Sequence, residues 1–292
     1  MLRLGDSQVS VPELQSALEA LRRGDFRRDA PRASSYGDAS WFLSTPVDCW
    51  LGDDRLVVLV LAAHAGAGAS TVAVALADVA AQSHTARLVD GAAPARSGLV
   101  AAADTELGVD DSGWRLGRRG QVEVHRPAGA VGCISDLPNL RPVDTDGHRT
   151  DVVVVDAGWP VWDVLAGSGW LPGLLPVAQL VVVCRATIPG VRQTEQVLGR
   201  LPSDPVIAAV GPRRWPGPVL AGCGQRLRAA REVGRVVTVG VHRSLETDGV
   251  DARPLPAPVA ATAQVLAGHV GVETTTRRAS GSLVSSRKET RQ

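Results

Sequence analysis

Residues 64–71, His-Ala-Gly-Ala-Gly-Ala-Ser-Thr, place two glycines, several small side chains and two hydroxyls within eight positions. Such a stretch is suited to anion binding. Glycines let the backbone curl closely around a phosphate, and successive N–H groups leading into a helix N-terminus present partial positive charge to it. Gly66, Ala67, Gly68, Ala69, Ser70 and Thr71 are the candidate cradle. A loop of this kind also has an architectural reading, in which it only turns the chain from strand to helix. Two carboxylates favour the binding role: Asp90 ends the run ARLVD, and Asp156 ends DVVVVD. Carboxylates at the C-terminal ends of neighbouring parallel strands border the crevice where α/β proteins bind ligands. Those strand ends are the places where a Mg²⁺ shell and an attacking water would be organised.

Strands and helices must alternate to bring these groups together. Strand-like runs occupy 55–62, 86–90, 121–126, 151–156, 179–186, 205–211 and 235–240. Most are unbroken Val/Ile/Leu runs, as expected of strands buried on both faces of a parallel sheet. Helical patterns fall between them at 70–82, 190–201, 219–234 and 258–270. The rhythm predicts an α/β fold, a doubly wound and mostly parallel sheet with helices on both faces. Three segments are expected: an N-terminal helix (11–23, opened by the capping box Ser10 to Glu13) and linker over 1–50, the α/β domain over 51–271, and a disordered basic tail over 272–292.

The motifs HAGAGAST, LVDGAAP and DVVVVDAGW, taken in order, resemble the MinD/ParA class of deviant P-loop ATPases. In that class the loop reads KGGxGK[ST]T, the second strand ends DxD, and a later apolar strand ends in aspartate before a switch loop. The resemblance covers roughly 55–270. It puts His64 at the signature lysine, which reaches a partner's phosphates across a dimer, and Ala69 at the phosphate lysine. Ser70 falls at the Mg²⁺ hydroxyl, Asp90 at the first acidic position, Ala92 at the second, and Asp156 at the later aspartate. GAGAST looks closest to the CpaE/TadZ branch, which includes septum-site-determining-like proteins. No receiver-like domain, usual in that branch, is expected in the roughly 50 residues of this sequence that precede the loop. The resemblance implies ATP or ADP with Mg²⁺ as cofactor, a homodimer, and a protein partner such as a pilus or secretion ATPase or a division component.

The departures from the family pattern bear on turnover. Losing one charge-assisted hydrogen bond costs roughly 1.5–3 kcal/mol, which nucleotide binding can survive through the backbone cradle and Mg²⁺. Hydrolysis depends on positioning and charge neutralisation, and alanine at 92 can neither orient water nor move a proton. A pseudo-ATPase scaffold is the expectation. The alternative is an active ParA-type ATPase in DNA or plasmid partition, with Arg87, Arg96 or Arg185 standing in for lysine.

Trp159, Trp162 and Trp170 cluster just past Asp156 in a chain with only two Phe and one Tyr. Tryptophan is favoured at interface hot spots, so Trp159 and Trp162 join His64 as interface candidates, against packing under the sheet edge as the alternative. Trp215, in the loop after 205–211, has a base-stacking reading beside that of a rigid surface loop, with Gly211 near the adenine-pocket position. His242 and Glu246, four apart, carry no role from sequence alone.

Composition narrows the class further. With 45% apolar residues the chain supports a folded core, and a net charge of +1 argues against general nucleic-acid binding. Thirty of the 31 basic residues are arginine; the lone lysine is Lys288, in the stretch 277–292, where five cations face one acidic side chain. Cys49, Cys133, Cys184 and Cys223 are widely spaced and the histidines form no ligand pattern, so reduced thiols and no histidine–cysteine metal site are expected. No secretion signal and no transmembrane run is evident. A cytoplasmic protein is expected, reaching the membrane only through a partner.

Overall fold

The computed structural model describes residues 55–140 and 150–272. The helix expected at 11–23, its linker, Cys49 and the tail beyond 272 lie outside the described residues. In chain order the strands are β1 (Leu56–Ala62), β2 (Ala86–Asp90), β3 (Thr105–Val109), β4 (Trp114–Arg119), β5 (Val122–Pro127), β6 (Val152–Pro160), β7 (Gln179–Arg185), β8 (Val206–Val210) and β9 (Val236–Val239). The helices are α1 (Ala69–Ala80), α2 (Val161–Ala166), α3 (Trp170–Gly173), α4 (Ile188–Leu198), α5 (Gly217–Gly222), α6 (Gln225–Glu232), α7 (Arg243–Asp248) and α8 (Ala257–His269).

The unbroken valine runs form strands whose two faces feed different cores. In β1, Val58 and Val60 face a core shared with α1 and α8, while Val57, Leu59 and Leu61 face one shared with α2 and α3. The second face continues under α4, α5 and α6 through Cys184, Ile207 and Leu227. The sheet order is β3-β4-β5-β2-β6-β1-β7-β8-β9. From β5 to β9 every neighbouring pair is parallel, and only the β3–β4 and β4–β5 pairs are antiparallel. This is the doubly wound, mostly parallel α/β fold expected from sequence. β1 lies centrally, with β2 reached on one side and β7 on the other. The strand order therefore reverses at β1, where its carboxyl end opens a crevice.

α1 is buried around most of its circumference, and its alanines at 73, 75, 77 and 80 let the sheet and α8 approach closely. The span 219–234, expected as one helix, is two. The break falls at Gly224, where a Cβ would stand 2.3 Å from the Glu195 side chain. That carboxylate accepts the N–H groups of Arg226 and Leu227, both at 2.9 Å, and so starts α6 afresh. The sequence reading assigned no strand to β3 or β4.

Candidate functional site

The loop between β1 and α1 is built on two left-handed glycines, Gly66 at φ +71° and Gly68 at φ +99°. A Cβ on Gly66 would meet nothing within 4 Å, so backbone conformation and not crowding calls for glycine there. Gly68 caps α1 without a side-chain acceptor, and no acidic residue lies in the first turn. The first bond inside the helix runs from the Val72 N–H to the Gly68 carbonyl, 3.1 Å. The N–H groups of Ala69, Ser70 and Thr71 are thus the orphans of the helix start, carrying the positive end of its dipole. Ala67 and Ala69 are buried, and at 69, where the resemblance has a lysine, there is only a methyl packed into the core.

On the β2–β6 side, Asp90 and Asp156 are register partners across two parallel strands. Both are buried, at 0% and 2% exposure. Burial, then the charge of Asp156, pushes the Asp90 carboxyl up to about 7, although Ser97 and the Ala92 N–H bond to it. Burial also raises Asp156, against hydrogen bonds from the Ser70 hydroxyl and the Gly158 N–H. Two buried acids with raised affinity for protons, beside a hydroxyl, form a hard oxygen set that a divalent cation fits. The Ser70 hydroxyl stands beside Asp156 and lowers its proton affinity in part. Among the described residues no cluster of three or more His, Cys, Asp or Glu could hold a metal. A cation here would need ligands from elsewhere, which bound phosphate oxygens supply.

This side is closely packed. Ala92 is 2% exposed, and a Cβ on Gly158 (φ +65°) would fall 2.4 Å from its methyl. A Cβ on Gly98 would fall 2.6 Å from the Ser70 Oγ, so the chain after Asp90 folds back onto that hydroxyl. Ser97, which completes the Asp90 shell, was not foreseen; a lone serine seven residues downstream carries no periodic signal.

On the β7–β9 side the loop opens into a cleft of about 240 Å³. Gly66, Gly68 and Thr71 line it from the loop, and Val210, Val239 and Leu245 give it an apolar wall. Arg185, His242 and Glu246 supply its polar side chains. The Arg185 guanidinium pairs with Glu246 at 3.0 Å, with side-chain exposures of 33% and 47%. The backbone N–H of Arg185 donates to His64 Nε2 at 3.0 Å, which leaves the ring proton on Nδ1 to meet the Ala65 carbonyl at 2.9 Å. His64, a candidate for reaching toward a partner, is half-buried and ties β7 to the loop.

The other arginines considered as lysine substitutes are occupied. Arg87 bonds to Glu123 at 2.9 and 3.1 Å, and Arg96 stacks on Trp159 at 4.1 Å. Trp159, expected on a partner surface, is 7% exposed and gives its indole N–H to the Gly91 carbonyl at 2.6 Å; the packed core claims it. Trp170 is buried likewise, bonded to the Pro138 carbonyl, while Trp162 is 48% exposed. Trp215, at 8% exposure, lies under Arg231 and is closed to a nucleobase.

No family model and no curated protein matches this chain. Among solved structures it is similar to a ParA family ATPase from Chlorobium tepidum, at 14% identity and a TM-score of 0.48, over 74% of this chain and 98% of that one. It is also similar to the MinC:MinD cell division complex of Aquifex aeolicus, at 15% identity and a TM-score of 0.47, over 73% and 96%. A third similarity is to the septum site-determining protein MinD of Pyrococcus horikoshii complexed with Mg-ADP, at 15% identity and a TM-score of 0.44, over 74% and 98%. Among the described residues no helix is long and apolar enough to cross a membrane.

Proposed function

We propose that this chain is a MinD/ParA-like nucleotide-binding protein that holds ATP or ADP without appreciable turnover. It acts as a cytoplasmic, homodimeric scaffold that positions or regulates a pilus, secretion or division assembly, in the manner of the CpaE/TadZ branch. One observation carries the reading: an uncapped α1 start reached through two left-handed glycines, beside the buried and register-paired Asp90 and Asp156.

Backbone N–H groups of residues 66–71 would hold the phosphates, and Ser70, Asp90 and Asp156 would hold Mg²⁺ with them. Mg²⁺, when bound, neutralises phosphate charge. Turnover needs more. Individual cationic groups are worth about three to five decades in phosphoryl transfer, and positions 69 and 92 offer only buried methyls. Ala92 sits against Gly158 with no proton to give or take.

Calorimetric titration with ATP and ADP, with and without Mg²⁺, tests the binding half. Heat of binding is expected with both nucleotides, stronger with Mg²⁺; silence in all four titrations removes the nucleotide role. A phosphate-release assay tests the other half and is expected to stay at background. Turnover above background that Asp156→Ala abolishes would make the protein an ATPase.

A further inference from the structure

The loop lacks a lysine, yet the cleft it opens into does not lack a cation. We infer that Arg185, at the carboxyl end of β7, is the ligand-binding cation of this site, and that Glu246 holds it as an internal substitute for a ligand phosphate. The inference rests on the nucleotide reading and adds to it the residue that supplies charge.

Three observations converge on Arg185. It lines the same cleft as Gly66, Gly68 and Thr71. Its backbone is tied to the loop by the 3.0 Å bond from its N–H to His64 Nε2, so the base of the side chain is fixed relative to the glycines. Its guanidinium meets a single carboxylate, Glu246, through one nitrogen at 3.0 Å. Guanidinium has five N–H donors in a planar fork suited to two-point recognition of phosphate. One such contact to a carboxylate that is itself 47% exposed leaves most of that capacity unused. Arg87 and Arg96, by contrast, are committed to Glu123 and to the Trp159 ring.

Glu246 lies on α7, and Arg185 ends β7, so their ion pair joins two elements that line the cleft. A polyphosphate seated on the loop would compete with Glu246 for the same donors. Its greater charge and its additional bonds to the α1 start favour the exchange. Binding then carries a cost in the resting protein, the breaking of one surface ion pair, which is small. The pair therefore sets affinity without locking the cleft.

The test uses the full chain and three probes: ATP, inorganic tripolyphosphate and adenosine, each titrated calorimetrically against wild type, Arg185→Gln, Arg185→Lys and Glu246→Gln. Thermal melts establish that each variant is folded. Arg185→Gln should weaken ATP and tripolyphosphate roughly ten- to hundredfold, the range for loss of a charge-assisted contact, and leave adenosine unchanged. Arg185→Lys should recover part of the loss. Glu246→Gln should shift the opposite way, tightening both polyphosphates about two- to fivefold as the competitor is neutralised. Wild type that binds ATP while Arg185→Gln binds it equally well would overturn the role of Arg185 and leave the nucleotide reading standing. No binding of ATP or tripolyphosphate by either wild type or Glu246→Gln would overturn both.

Discussion

The two flanks of the β1–α1 loop are built on opposite plans. Toward β2 and β6 the groups are closely packed and bonded internally: Ser97 and the Ala92 N–H bond to Asp90, the chain at Gly98 closes on the Ser70 hydroxyl, and Gly158 nests against Ala92. Toward β7 and β9, the chain leaves a cleft whose charged groups meet each other only at a half-exposed ion pair. The contrast separates two demands on one site. Acids that must sit close together at a fixed spacing are held by burial and backbone, at a cost in electrostatic energy. Groups that must exchange one partner for another are kept where water lowers the cost of parting them.

The sharpest way to break this contrast is to loosen the packed flank. Gly158→Ala places a methyl at φ +65° and 2.4 Å from the Ala92 Cβ. Strain and overpacking, each worth about 1–3 kcal/mol, should together remove roughly 3 kcal/mol or more of stability in urea denaturation. A loss under 1 kcal/mol would mean the two strand ends are not interlocked.

Asp90→Asn probes the electrostatic cost. An ordinary aspartic acid titrates near 3.8, whereas Asp90 holds its proton up to about 7. Between those values the folded chain keeps a proton that the unfolded chain releases. Folding is therefore favoured at the low end of the window and loses stability as pH rises toward 7, beyond which both states are charged. The amide removes that slope while keeping partners for Ser97 and Ala92. The variant should be more stable than wild type at pH 8, on the order of 2 kcal/mol, and nearly equal to it at pH 4. An unchanged slope in wild type and variant would show that Asp90 does not titrate in this range.

The smallest effect belongs to the open flank. Arg185→Gln should change unfolding free energy by less than about 1 kcal/mol, readable as a shift in melting temperature of a few degrees at most. A large loss there would assign the ion pair to the architecture and dissolve the contrast.

The parallel sheet was legible because burial on both faces leaves mostly unbroken apolar runs, and the seven strand-like runs match seven observed strands. β3 was not, because all five of its residues are exposed and no apolar pattern marks an edge strand wet on both sides. The turn joining it to β4 did carry a signal: Asp110 Oδ1 accepts the N–H groups of Ser112 and Trp114, and Gly113 is left-handed, features of an Asp-x-Ser-Gly turn. The glycine loop and both aspartates could be read from spacing, because strand ends fix where such residues emerge. Whether a tryptophan or histidine near them faces inward depends on rotamer and on what lies beneath, which spacing does not encode. Trp159 shows that limit. The pairing of Arg185 with Glu246 joins positions 61 residues apart in sequence, so no local pattern announces it.

Glu195 has a further consequence. By accepting two N–H groups at the start of α6, it gives that helix a resident counter-anion, whereas α1 has none among its side chains. The first turn of α1 has no acidic side chain of its own and no side-chain cap, so an anion bound at its free N–H groups would supply the complement that α6 receives from Glu195.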